Sequence, residues 1–115
     1  MREFLKRFFF PVTVLLIFLS FPSFASAQQS AMNYFVDGVE AFEAASYQEA
    51  IRSLEKAIEL EPANLEFQYY LGLTYRAMKQ YGDALKVFES IVEKEPVKFR
   101  KVYFEIAALY ARQEQ

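Results

Sequence analysis

YQEAIRSLEKAIELEP, residues 47–62, is followed by YGDALKVFESIVEKEP, residues 81–96. Six of the sixteen paired positions are identical, and elsewhere like replaces like: Glu49 by Asp83, Ile51 by Leu85, Arg52 by Lys86, Leu54 by Phe88 and Ile58 by Val92. Every pair stands at the same offset, that of Tyr81 from Tyr47. Self-similarity at a fixed period of roughly 20–50 residues marks an array of one repeated supersecondary unit. The fold therefore follows from the reading of a single repeat.

Within the first copy Ala50, Ile51, Leu54, Ala57 and Ile58 form one stripe of an α-helix, while Glu49, Arg52, Ser53, Glu55, Lys56 and Glu59 lie on the other side. Ser46 followed by Glu49 has the pattern of a capping box at the start. Pro62 stops the helix because it lacks an amide proton and pushes Glu61 out of helical geometry, and Pro96 ends the second copy in the same way. Upstream of each copy lies another helical pattern, over residues 32–45 and 65–79, containing Gly38 and Gly72. A glycine inside a helix costs about 1 kcal/mol relative to alanine, so these two predict a close approach. Two antiparallel helices would cross where Gly38 faces Ala50 and Gly72 faces Ala84, with Asn64 as N-cap of the helix that follows. All helix and no strand is the reading.

The pattern resembles the tetratricopeptide repeat, a 34-residue helix-turn-helix unit. The small residues Gly38, Ala50, Gly72 and Ala84 match its signature positions, as do Tyr47 and Tyr81 at the turn, Leu71 and Tyr75, the large apolar Leu54 and Phe88, and the closing Pro62 and Pro96. The resemblance implies an all-α, right-handed solenoid of helix hairpins, with repeat one over residues 31–64 and repeat two over 65–98. Repeat one departs from the pattern at Asp37 and Ala41, where repeat two has Leu71 and Tyr75; this is tolerable where no preceding repeat has to be packed. Ile106, Ala107 and Tyr110 mirror Leu71, Gly72 and Tyr75 if one residue is inserted after Pro96, so residues 99–115 hold the first helix of a third unit. Val102, Tyr103, Phe104, Ile106, Leu109 and Tyr110 surround most of that helix with apolar surface. Such a helix is either an imperfect cap or one completed by further chain or a partner, and self-association through it is expected.

Residues 1–27 have the layout of a secretory signal: basic Arg2, Lys6 and Arg7, an apolar run over residues 8–21, and the small-x-small site Ala25-Ser26-Ala27. Cleavage after Ala27 and delivery to a bacterial periplasm is the expectation; the alternative is an uncleaved inner-membrane anchor over residues 8–27, matching the ~20 residues a bilayer core requires. Beyond Ala27 the chain carries ten basic and fourteen acidic residues, net −4, which suits neither nucleic acid nor an anionic membrane surface. With no cysteine there is no disulfide framework, and packing alone holds the repeats together.

No histidine and no cysteine means no usual general base near neutral pH, no thiolate and no common zinc or haem ligand. Glu55 with Glu59 and Glu89 with Glu93 sit one helical turn apart, but on polar faces beside Arg52, Lys56, Lys86 and Lys94, the ordinary solvated arrangement. No enzyme activity, cofactor or metal is expected. The resemblance instead implies binding of a protein or peptide segment along the concave face formed by the first helix of each repeat. Carried over position by position, that face holds Phe35, Val39 and Phe42, then Tyr69, Leu73 and Arg76, then Lys101 and Phe104: an apolar, aromatic groove with a basic rim. Capture of a C-terminal carboxylate, a mode known in the family, requires Asn where this chain has Val39 and Tyr70. Two functions follow as expectations: an exported adaptor for an apolar or amphipathic segment, or a structural module of a longer repeat protein whose surfaces meet only their own chain or a membrane-anchored assembly.

Overall fold

The computed structural model describes residues 24–114. Five helices follow one another: α1 Phe24–Glu43, α2 Tyr47–Leu60, α3 Leu65–Ala77, α4 Tyr81–Lys94 and α5 Arg100–Gln113. Among the described residues there is no strand, and each helix packs against its neighbours in sequence, as in a solenoid of hairpins. Helix α1 starts well before residue 32, where the apolar periodicity begins, and runs through Ala25-Ser26-Ala27. Most of the expected signal, residues 1–23, lies outside the described residues. Among the described residues no helix is long and apolar enough to cross a membrane.

Both hairpins turn on the same device. Ala45 and Lys79, at equivalent positions of the two repeats, adopt left-handed backbone with φ of 59° and 61°. The amide of Ser46 then donates to the Ala41 carbonyl at 2.8 Å and that of Ala45 to Phe42 at 3.0 Å; Gln80 to Tyr75 and Lys79 to Arg76 repeat the pair at 2.9 Å each. This is a Schellman closure of α1 and α3 built without glycine. It also corrects the expected capping box: Ser46 is the N-cap of α2 but its side chain makes no capping bond. The Ser46 amide that Glu49 would have bonded is already consumed by the turn. Asn64, by contrast, caps α3 as expected, its side chain accepting from the Glu66 amide at 3.2 Å. A left-handed conformation costs a non-glycine residue about 1–2 kcal/mol, partly offset by the entropy that glycine adds to the unfolded chain. Lys79→Gly, at an exposed position, should therefore raise the thermal midpoint by a few degrees.

The glycines do serve close approach, but one helical turn further along than Ala50 and Ala84. A methyl added to Gly38 would sit 2.8 Å from Cγ of Leu54, and one added to Gly72 would sit 2.5 Å from Cε1 of Phe88. Each glycine is the floor on which the large apolar residue of the second helix rests. Ala50, Leu54, Ala57, Ala84, Phe88 and Ile91 are fully buried there. Between hairpins the seam is made by Phe67, Thr74, Phe99, Val102 and Leu109, all buried. The Thr74 hydroxyl is satisfied by donating back to the Tyr70 carbonyl at 2.8 Å.

Candidate protein-interaction surface

The first helix of each hairpin, α1 and α3, together with α5, carries the residues of the expected groove. Phe35 is half-buried, stacked on Phe67 with ring centres 4.7 Å apart and edge-on to Tyr70 at 5.3 Å. Phe42 meets Tyr70 at 6.3 Å and Tyr47 at 6.1 Å. Tyr70 is thus the hub that joins α1 to α3, a role the repeat pattern does not announce. Tyr69 packs on Phe88 at 6.0 Å, and Leu73 lies against the same core cluster. Val39 is half-buried, and Phe104 is 78% exposed.

The two basic residues are placed between helices. Lys101 on α5 reaches Glu66 on α3 at 3.0 Å, and its ammonium lies 4.0 Å from the centre of the Tyr69 ring. Arg76 on α3 is ion-paired to Glu105 on α5. Half-exposed pairs of this kind contribute about 0–1 kcal/mol each, and a cation over a ring about 0.5–1 kcal/mol at an exposed site. Their effect is to fix the register of α5 against α3. Apart from Val39 and Leu73, the expected residues fall into three groups: Phe35 and Phe42 around Tyr70, Tyr69 with Lys101, and Arg76 with Glu105. Phe104 stands apart as exposed apolar surface.

Two phenols hold their protons more tightly than the ordinary value of 10.0. Burial, then the charges of Glu55 and Asp83, raises Tyr75. At Tyr110 the cause is a hydrogen bond donated to Glu89 at 2.7 Å, then the Glu89 charge. Neutral phenols are favoured by folding in both cases, so their contribution is intact below pH 10.0 and is lost as pH rises through the elevated values. Tyr75→Phe should lessen the fall in thermal midpoint on going above that pH.

A cleft of about 730 Å³ lies elsewhere, at the edge formed by the α2–α3 and α4–α5 turns and the start of α1. Leu60, Leu65 and Phe99 line it together with Glu61, Glu66, Glu95 and Lys98, and none of the expected groove residues does.

A family model described as regulator of microtubule dynamics protein 1-3 matches residues 25–113, most of the chain. The chain belongs to this family. Members of the wider group of helical repeats are also similar to it. A TPR repeat-containing protein of Methanocaldococcus jannaschii is 34% identical over 53 residues, 46% of this chain and 17% of that protein. The BBSome complex member BBS4 homolog of Drosophila melanogaster is 32% identical over 79 residues, 69% of this chain and 16% of that protein. Two crystal structures of MamA superpose with TM-scores of 0.71 and 0.69 at 29% identity, over 76% of this chain and 50% and 47% of theirs. The chain spans about half the length of these solved structures and less than a fifth of the curated relatives it matches. This family member is a TPR-like helical repeat protein, all-α.

Proposed function

We propose that this chain is a non-enzymatic scaffold that takes an apolar or amphipathic protein segment along the face of α1, α3 and α5. The observation that supports it most is the composition of that face: Phe35, Val39, Phe42, Tyr69 and Leu73 stay partly exposed after packing, and Phe104 is 78% exposed. Surface of this kind on a folded protein is characteristic of interaction sites. A chain without histidine or cysteine has little catalytic chemistry to offer beside it. A relative that is a member of a multiprotein complex, and a family described by its effect on a protein polymer, fit the same reading.

The experiment is selection of displayed peptides against the full chain, followed by binding to Val39→Ser, Leu73→Ser and Phe104→Ser variants. Selected peptides should be apolar or amphipathic, and loss of an apolar anchor should weaken them by about tenfold or more, the scale of interface hot spots. Peptides unaffected by all three substitutions would place the interaction on another surface.

Export is part of the proposal. The basic start, apolar run and Ala25-Ser26-Ala27 support a mature chain beginning at Gln28. Mass spectrometry of the protein recovered from bacterial periplasm should give that N-terminus, whereas Met1 retained in a membrane fraction would point to the anchor.

A further inference from the structure

Helix α1 begins before the packed body of the array does. Residues 26–30 are exposed, and Ala31, packed with Ala57 and Phe67, is fully buried. Gln28 and Gln29 stand between the small-x-small site Ala25-Ser26-Ala27 and that seam, and their side chains are placed differently. The Gln29 carboxamide donates to the Asn33 side chain at 3.2 Å. Gln28 is exposed at the rim of the cleft beside the α2–α3 turn, and among the described residues its carboxamide has no hydrogen-bond partner.

We propose that Gln28, as the first residue of the mature chain, is a modification site at which its α-amine and its own carboxamide close into a pyroglutamyl ring. The proposal rests on the export reading, in which cleavage after Ala27 frees that amine. The amine nitrogen attacks Cδ of the side chain, the Cδ–Nε2 bond breaks, and ammonia leaves carrying one proton from the amine. No oxidant, reductant or second substrate is consumed. Closure of a five-membered ring keeps the reacting atoms within reach of each other, the advantage of any well-placed intramolecular attack. An α-amine titrates at about 8, so part of it is the uncharged nucleophile at neutral pH. Three features of the fold favour the step. Gln28 lies ahead of the buried seam, so ring closure disturbs no core contact. The carboxylates of the cleft are engaged and do not trap the amine as an ammonium: Glu66 is paired to Lys101 at 3.0 Å, Glu61 accepts from Nδ2 of Asn64 at 3.2 Å, and Glu95 shares the lining with Lys98. The ring also removes a positive charge from the start of α1, where a cation opposes the helix macrodipole. A lactam presents no free amine to an aminopeptidase, so the modification protects the residues ahead of Ala31 and the seam that Ala31 makes with Ala57 and Phe67.

The test expresses the full chain with its own leader, recovers it from bacterial periplasm, and reads the N-terminal peptide by mass spectrometry before and after treatment of the intact protein with an aminopeptidase. The N-terminal peptide should start at residue 28, be lighter than its unmodified form by one ammonia, and survive the aminopeptidase. Gln28→Asn is one methylene shorter and would have to close a strained four-membered ring, so it should keep its full mass and be trimmed toward Ala31. An N-terminus at Gln28 with full mass and a free amine would overturn the proposal and leave the export reading standing. Met1 retained in a membrane fraction would overturn both, and a mature chain starting at any other residue would overturn the modification alone.

Discussion

Phe88→Ala should lower the stability of the array by about 3–5 kcal/mol, the range for deleting a buried aromatic ring from a core. Phe88 is fully buried, resting on Gly72 and touching Tyr69, in the cluster that also holds Ala84, Ile91, Val102 and Leu109. The site cannot collapse easily, because the wall facing the ring is helix backbone at a glycine. A repeat array of this size has a total stability on the order of 5–14 kcal/mol, so the loss is a large share of it. Because the ring lies in the cluster to which α5 also contributes, α5 should detach with it. Urea denaturation followed by helical circular dichroism checks this, with Val97→Ala, at a site 72% exposed, as a substitution that should leave the midpoint in place.

Gly72→Leu should be comparably severe by the opposite route. Even the first carbon of a side chain would lie 2.5, 2.8 and 2.9 Å from three atoms of the Phe88 ring. That ring is fully buried, so α3 and α4 must move apart. Overpacking typically costs about 1–3 kcal/mol, and a leucine forced against a buried ring belongs at or above the top of that range. Gly82 provides the internal contrast: it lies exposed in the first turn of α4, with nothing within 4 Å of an added methyl. Gly82→Ala should stabilise by about 0.5–1 kcal/mol through helix propensity and a less flexible unfolded chain. Thermal melts of the two variants should shift in opposite directions.

The hairpin architecture was legible in the sequence because the same physical constraints recur at the fixed period of the repeat. A glycine under a large apolar residue, a small residue one turn earlier and a terminating proline appear at Gly38, Leu54, Ala50 and Pro62, and again at Gly72, Phe88, Ala84 and Pro96. The turn chemistry was less legible. Ala45 and Lys79 carry no sign of a left-handed conformation, and that closure removes the amide a Ser46–Glu49 capping box would have used. The groove residues were harder still, because helical spacing gives the direction of a side chain but not what lies across from it. Tyr70 as the hub of Phe35 and Phe42, and the pairing of Arg76 with Glu105, depend on how far α1 and α5 lean toward α3. The buried seam residues could have been found: the equivalence of Phe67 with Val102 and of Thr74 with Leu109 is visible once the third unit is aligned with its one-residue insertion.

Binding along the face made by α1, α3 and α5 is the proposed function of the chain. The most direct measurement is amide chemical-shift mapping of the isotopically labelled chain as a selected apolar or amphipathic peptide is added. The largest shifts should trace Phe35, Val39, Tyr69, Leu73 and Phe104. Shifts confined to the charged outer sides of α2 and α4, around Arg52, Glu55, Lys86 and Glu93, would contradict it.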